Sequence, residues 1–362
     1  MAAVKRNRQG VAGRATQTSE VGWPEWVDQA ATARLRDVIR GERIGHAYLL
    51  SGPKGVGKAA LARAFAQALC CPDADESDRS RPCGVCRVCR NVQRDTHQDV
   101  ETFSLESQAM LADKPGRGAT LTIDTVRRLR SSAALLPLES DRRILIVDDA
   151  EALLEPAQQA LLKTLEEPPG GVTILLLADE PEALLATVRS RCHQILVRPI
   201  PRLSVENALL SRGIDDGIAA ETAMLSRGCA GWALAAASDQ KLLRARRAEW
   251  ESASSWISSS RYEQLVTAFT LGDQYGKRRS EVVGVLQAAI QILRDEMIDA
   301  AGNASRVKEN GTSLVGAALA LELGRAIASS LQCLADLESN VRPKLALEAM
   351  VVAWPSSEPR LP

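Results

Sequence analysis

Residues 142–192 read RRILIVDDAEALLEPAQQALLKTLEEPPGGVTILLLADEPEALLATVRSRC. Two short apolar runs, Ile144–Val147 and Thr173–Leu177, flank a segment of helical spacing, and the first run ends in Asp148 and Asp149. Runs that are apolar throughout and joined by helices describe a parallel sheet covered on both faces. Working outward, Ala47–Leu50, Leu121–Ile123 and Gln194–Val197 have the same character, which predicts an α/β core over 21–199. Composition shifts at Arg198-Pro199-Ile200-Pro201. Beyond it Gly231–Ser238 is Ala-rich, and Val282, Val283, Leu286, Ile290 and Leu293 recur at helical period. This predicts a small helical domain over 200–243 and a larger all-α domain over 244–355. The polar, aperiodic residues 1–20 and 356–362 are expected to be tails.

At 362 residues the chain exceeds one ordinary core. Its 45 Lys plus Arg balance 45 Asp plus Glu, so no global field draws it onto nucleic acid or a membrane, and any DNA contact must be local. The basic KRNR at 5–8 reads either as a solvated tail or as a nucleic-acid arm. No run of 18 or more apolar residues predicts a membrane span, and nothing after the basic start resembles a secretory signal. Eight cysteines, four of them within Cys71–Cys89, fit a reduced, cytoplasmic compartment and a metal site better than a disulfide frame.

Gly52-Pro53-Lys54-Gly55-Val56-Gly57-Lys58-Ala59 follows an expected strand and opens an expected helix. In that context Gly52, Gly55 and Gly57 let backbone N–H groups curl around phosphate oxygens, and Lys58 supplies charge to the β and γ phosphates. A strand–helix turn without a ligand is the competing reading. Ala59 lacks the hydroxyl that would sit on Mg²⁺, so metal positioning for hydrolysis is weakened. Asp148 and Asp149 occupy the strand end where acids hold Mg²⁺ through water and orient an attacking water, yet either could instead cap a helix over 150–154. Asp149 is shorter than the usual Glu and polarises such a water poorly.

Cys83, Cys86 and Cys89 are spaced C-x2-C-x2-C, with Cys71 upstream. Four thiolates suit tetrahedral Zn²⁺, the alternatives being free thiols or an iron-sulfur cluster, and a zinc site closed by four protein ligands is structural. Cys70 competes as fourth ligand, but it continues the apolar face of Ala66 and Leu69, so Cys71 is preferred. His97 reads as a polar surface residue. Arg87, Arg90 and Arg94 place local positive charge near this module, the basis of a DNA-binding reading, although no aromatic residue is nearby to stack on bases.

Together these residues resemble the bacterial DNA polymerase III clamp-loader subunits. The resemblance is carried by His46-Ala47-Tyr48, the four-thiol insert, ALLKTLEEP at 160–168 and Ser190-Arg191-Cys192, and it runs from about Trp23 to Trp354. The segment 180–192, the motif NVRPKLALEA at 340–349, and Gly231, where an ATPase subunit carries a sensor Arg, resemble the delta-prime branch more than gamma/tau. The resemblance implies an α/β AAA+ P-loop core with a parallel sheet and zinc module at about 70–90, a small α-helical lid and an all-α C-terminal collar. It implies a stator within a heteropentamer with gamma/tau and delta, acting on the sliding clamp and primed DNA, in the cytoplasm at the nucleoid. Arg191 would be an arginine finger acting in trans, the alternative being an ordinary surface Arg. Intrinsic ATPase would be weak or lacking, with structural Zn²⁺ and ATP or ADP held without well-placed Mg²⁺. A gamma/tau-type hydrolysing motor is the alternative function.

Overall fold

Every residue of the apolar runs AYLLS, RILIV and VTILLLA is buried, so each run packs on two faces. In the computed structural model, which describes residues 22–41, 43–72, 82–111, 120–306, 313–339 and 341–355, these runs are β1 (Ala47–Ser51), β3 (Arg143–Val147) and β4 (Val172–Ala178). With β2 (Val100–Phe103) and β5 (His193–Leu196) they form a five-stranded, wholly parallel sheet in the order β2-β3-β4-β1-β5. The period of two along a strand divides the core. Tyr48, Leu50, Ile144, Ile146, Leu175 and Leu177 pack one face under α1 (Gln29–Arg40), α2 (Lys58–Cys70) and α3 (Arg87–Gln93). Leu49, Leu145, Val147, Ile174 and Leu176 pack the other under α5 (Ile123–Ala133) and α6 (Glu155–Glu166), α4 being the short helix Leu105–Leu111. The expected tails and KRNR lie outside the described residues.

Two expectations need correction. Leu121–Ile123 is not a strand: Leu121 makes one isolated bridge to Leu153, and Ile123 begins α5, whose buried Val126 and Leu129 have helical spacing. Thr122 stands at the N-cap position and Asp124 in the first turn, both helix-start residues. Residues 150–154 are no full helix either. A three-residue 3-10 turn, Ala150–Ala152, is followed by α6 with Pro156 in its first turn.

The chain divides into two compact units at Ser238/Asp239. Beyond the sheet, and after the short α7 (Ala186–Arg189), the first unit holds α8 (Arg202–Leu210), α9 (Asp216–Leu225) and α10 (Ala230–Ser238). These pack through Val205, Leu209, Ala219, Ala223, Ala230 and Ala233. Among its described residues the second unit is helical: α11 (Gln240–Ser258), α12 (Arg261–Arg306, kinked at Arg278), α13 (Ser313–Glu338) and α14 (Pro343–Val352). The predicted 243/244 boundary falls inside α11. In this unit Trp256 and Trp354 pack with ring centroids 4.7 Å apart. Their indole N–H groups donate to Gln264 O and Ser330 Oγ, each at 2.9 Å, which satisfies both buried donors.

Candidate nucleotide, metal and arginine sites

Gly52 leaves β1 and its N–H donates to Ala178 O at 3.2 Å, tying the loop to the end of β4. Gly55 and Gly57 have φ of +78° and +112°, and α2 starts at once with Lys58. The geometry is that of a phosphate cradle, but its lysine and the Gly55 carbonyl have partners inside the chain. Lys58 is buried, and its Nζ donates to Gly52 O at 2.6 Å and Pro53 O at 3.2 Å and pairs with Asp179 Oδ1 at 2.5 Å. Trp232, in α10, donates its N–H to Gly55 O at 2.8 Å. A Cβ on Gly231 would lie 2.8 Å from Gly55 O, closer than side chains tolerate, so only glycine lets α10 sit this near. On the other side Val27 and the Trp26 ring stand 2.7 and 3.0 Å from where a Gly57 Cβ would be. Ala59 is half-buried against the core.

Asp148 and Asp149 follow β3 as expected. Burial, then the charge of Asp149, raises the Asp148 pKa. Its Oδ1 accepts from Asp149 N–H at 3.1 Å, and Asp149, at φ +55°, makes no side-chain cap bond, so the capping alternative has no support. Sequence reading overlooked Asp179 and Glu151. Glu151 Oε2 accepts from Asp179 N–H at 3.2 Å, and burial raises its pKa. The missed signal was Ala178-Asp179, an acid directly after an apolar strand that neighbours β1, in the manner of Val147-Asp148.

The four thiols Cys71, Cys83, Cys86 and Cys89 lie within 4.8 Å of one another. Cys71–Cys86 and Cys83–Cys89 are both 4.0 Å apart, far beyond an S–S bond of about 2.05 Å. They match the roughly 3.8 Å edge of a tetrahedron with Zn–S bonds of about 2.3 Å. Cys86 N–H points to Cys83 Sγ and Cys89 N–H to Cys86 Sγ, at 3.4 and 3.3 Å, a donor pattern that stabilises thiolates. The donor set therefore fits a metal closed off from chemistry. Cys70 is apart from it, and burial pushes its thiol up to about 11.

His97 is buried, not a surface residue. Its Nδ1 accepts from Asp99 N–H at 3.1 Å, and burial lowers its pKa. Asp99, fully buried, accepts from the N–H groups of Leu138, Glu139 and Ser140 and from the Ser140 hydroxyl at 2.7–2.9 Å. Burial alone would raise its pKa; these donors outweigh burial and hold it below the usual carboxylate range. Two of the three arginines near the module have local partners: Arg87 pairs with Glu139 at 2.9 Å and Arg90 Nε donates to Val85 O at 2.7 Å.

Arg191 follows α7 at the amino end of the sheet. It lines an open cleft with His46, Leu165, Glu166, Ser190, Cys192 and His193. Its side chain is 35% exposed, pairs with Glu166 Oε1 at 2.6 Å and donates to Thr187 O at 2.9 Å. Register fixes its distance from the phosphate loop. Tyr48 pairs with His193, while β1 ends at Ser51, so the loop begins roughly 10 Å further along the strands, at about 3.3 Å per residue. Arg191 precedes His193 and thus lies at the opposite end of the sheet from Lys58.

Residues 27–201 match the family model described as DNA polymerase III, delta subunit. The gamma/tau subunit of Mycobacterium bovis is 35% identical over 181 residues, 50% of this chain and 29% of that protein. The delta' subunit of Pseudomonas aeruginosa is 37% identical over 171 residues, 47% of this chain and 48% of that protein. The matched stretch thus spans less than half of each relative. A gamma subunit-related protein of Thermotoga maritima, 16% identical, superposes over 88% of this chain and 97% of its own with a TM-score of 0.37. With the sheet, the phosphate loop and the four-thiol cluster inside the matched stretch, residues 27–201 are similar to subunits of the DNA polymerase III clamp-loader family.

Proposed function

We propose that the chain is the delta-prime-type subunit of a clamp loader, a stator that lends Arg191 to the ATP site of a neighbouring gamma/tau-type motor. The observation that carries this reading is the separation of Arg191 from Lys58 by the length of the sheet. A guanidinium before β5 has no route to its own phosphate loop after β1, yet it is accessible in a cleft. In a ring of such subunits that edge meets the next nucleotide, where an arginine neutralises charge developing during phosphoryl transfer.

The chain's own pocket supports the same division of labour. Lys58 is committed to Asp179 and to loop carbonyls, α10 is hydrogen-bonded to Gly55, and Ala59 offers no hydroxyl to a metal. Intrinsic hydrolysis is therefore weak or lacking, and bound ATP or ADP would lack a well-placed Mg²⁺. The four thiols hold a structural Zn²⁺ that staples the end of α2 to α3. Helices α8–α10 act as the lid and the second unit as the collar that meets gamma/tau and delta in a heteropentamer serving the sliding clamp and primed DNA in the cytoplasm.

Retention of Lys58 and of the glycine pattern favours the second reading, a gamma/tau-type motor. Native mass spectrometry of the chain mixed with gamma/tau-type and delta-type subunits separates the two, together with ATP turnover by the chain alone. One defined heteropentamer and negligible turnover are expected. Turnover by the pure chain that Lys58→Ala abolishes would establish the motor instead.

A further inference from the structure

The guanidinium of Arg191 already has a carboxylate partner. Glu166 ends α6, and its Oε1 stands 2.6 Å from Nη2 of Arg191. Thr187 O accepts from Nη1 at 2.9 Å. The contact is not a chance meeting of two flexible surface chains. Leu161 and Leu165 of α6 and Val188 of α7 share one buried cluster, so packed helices fix where the carboxylate and the arginine's backbone stand. Two of the five N–H groups of Arg191 are thus used, and the others remain available at the cleft.

A finger works by lending uncompensated positive charge to a phosphate. A carboxylate at 2.6 Å neutralises much of that charge and fixes the direction of the fork. We propose that Glu166 is a restraining residue. It holds Arg191 oriented and neutralised until the γ-phosphate in the neighbouring subunit's pocket displaces it, so that hydrolysis there waits until the ring is correctly assembled. This rests on the trans reading of Arg191. Exposure makes the exchange feasible: the two side chains are 35% and 49% accessible, and an ion pair at such a surface is weak enough for a multiply charged phosphate to replace. A buried pair would resist separation.

The test uses the reconstituted loader and measures ATP hydrolysis with and without clamp and primed DNA, for Glu166→Gln, Arg191→Ala and the double variant. Glu166→Gln is expected to raise kcat without clamp and DNA about two- to fivefold, the range an exposed pair allows, with KM for ATP unchanged. The double variant should match Arg191→Ala alone, because the carboxylate acts only through the arginine. Glu166→Asp keeps the charge on a shorter arm and should fall between wild type and Glu166→Gln. If Arg191→Ala lowers the stimulated rate while Glu166→Gln leaves the unstimulated rate unchanged or lowers it, the restraint is overturned and the trans finger stands. If Arg191→Ala changes nothing, the trans finger fails and the restraint falls with it.

Discussion

At the carboxyl end of the sheet the lysine and one carbonyl of the phosphate loop find partners inside the chain. Lys58 reaches Gly52, Pro53 and Asp179, and Gly55 O takes the Trp232 N–H. At the amino end, Arg191 sits in an open cleft with one carboxylate and one carbonyl as partners, and several donors remain unspent. Both ends contain residues that elsewhere bind phosphate. The difference teaches that a glycine-and-lysine pattern specifies a backbone path, while the acid after β4 and the helix laid over the loop supply the partners its lysine and one carbonyl find inside the chain.

The sharpest way to break the comparison is to remove its outward-facing member. Arg191→Ala should lower clamp- and DNA-stimulated ATPase of the complete loader by on the order of 10³-fold per affected site, about 4 kcal/mol of barrier, with assembly intact. Cys83→Ser should eliminate about one Zn²⁺ per chain by atomic emission and lower the melting temperature of the first unit, since metal binding there is folding free energy. A variant with wild-type zinc content refutes the four-thiol assignment.

A smaller effect comes from the buried lock beside β2. Asp99→Asn removes a charged acceptor from four donors and should cost about 2–3 kcal/mol by denaturant titration at neutral pH. Because the folded pKa of Asp99 is depressed, its stabilisation is present above the unfolded value of about 3.9 and is lost as pH falls through the lower native value. The gap between wild type and Asp99→Asn should close as pH drops below about 4; a gap independent of pH would show that shape alone matters.

The smallest effect sharpens the closed end. Alanine in a helix is ordinarily worth about 1 kcal/mol over glycine, yet Gly231→Ala places a Cβ 2.8 Å from a backbone oxygen. A net loss of about 1 kcal/mol, with tighter binding of a fluorescent ATP analogue, is expected. A gain in stability with no change in binding would mean that α10 does not press on the loop.

Much of this was legible from the residues. β1, β3 and β4 announced themselves because every position is buried, leaving continuous apolar runs. β2 was hidden. It is an edge strand, Val-Glu-Thr-Phe, only Phe103 of which is buried, and Glu101 accepts from Ser132 Oγ at 2.6 Å. Cys71 could be preferred over Cys70 because helical spacing gave Cys70 an apolar neighbourhood, and the cluster contains Cys71. His97 was misread because its burial leaves no local pattern: the carboxylate near its Nε2, that of Glu139 at 3.8 Å, is distant in sequence. The partners of Lys58 and Arg191 were missed for a related reason. Asp179 and Glu166 lie on other elements, and only the sheet order and the α6–α7 packing bring each acid to its base.

The most direct measurement sets Lys58→Ala beside Arg191→Ala in one reconstituted loader, with stimulated ATP turnover as the readout. The account predicts that Lys58→Ala stays within about twofold of wild type while Arg191→Ala collapses turnover toward the unstimulated rate. Collapse with Lys58→Ala and none with Arg191→Ala would contradict it.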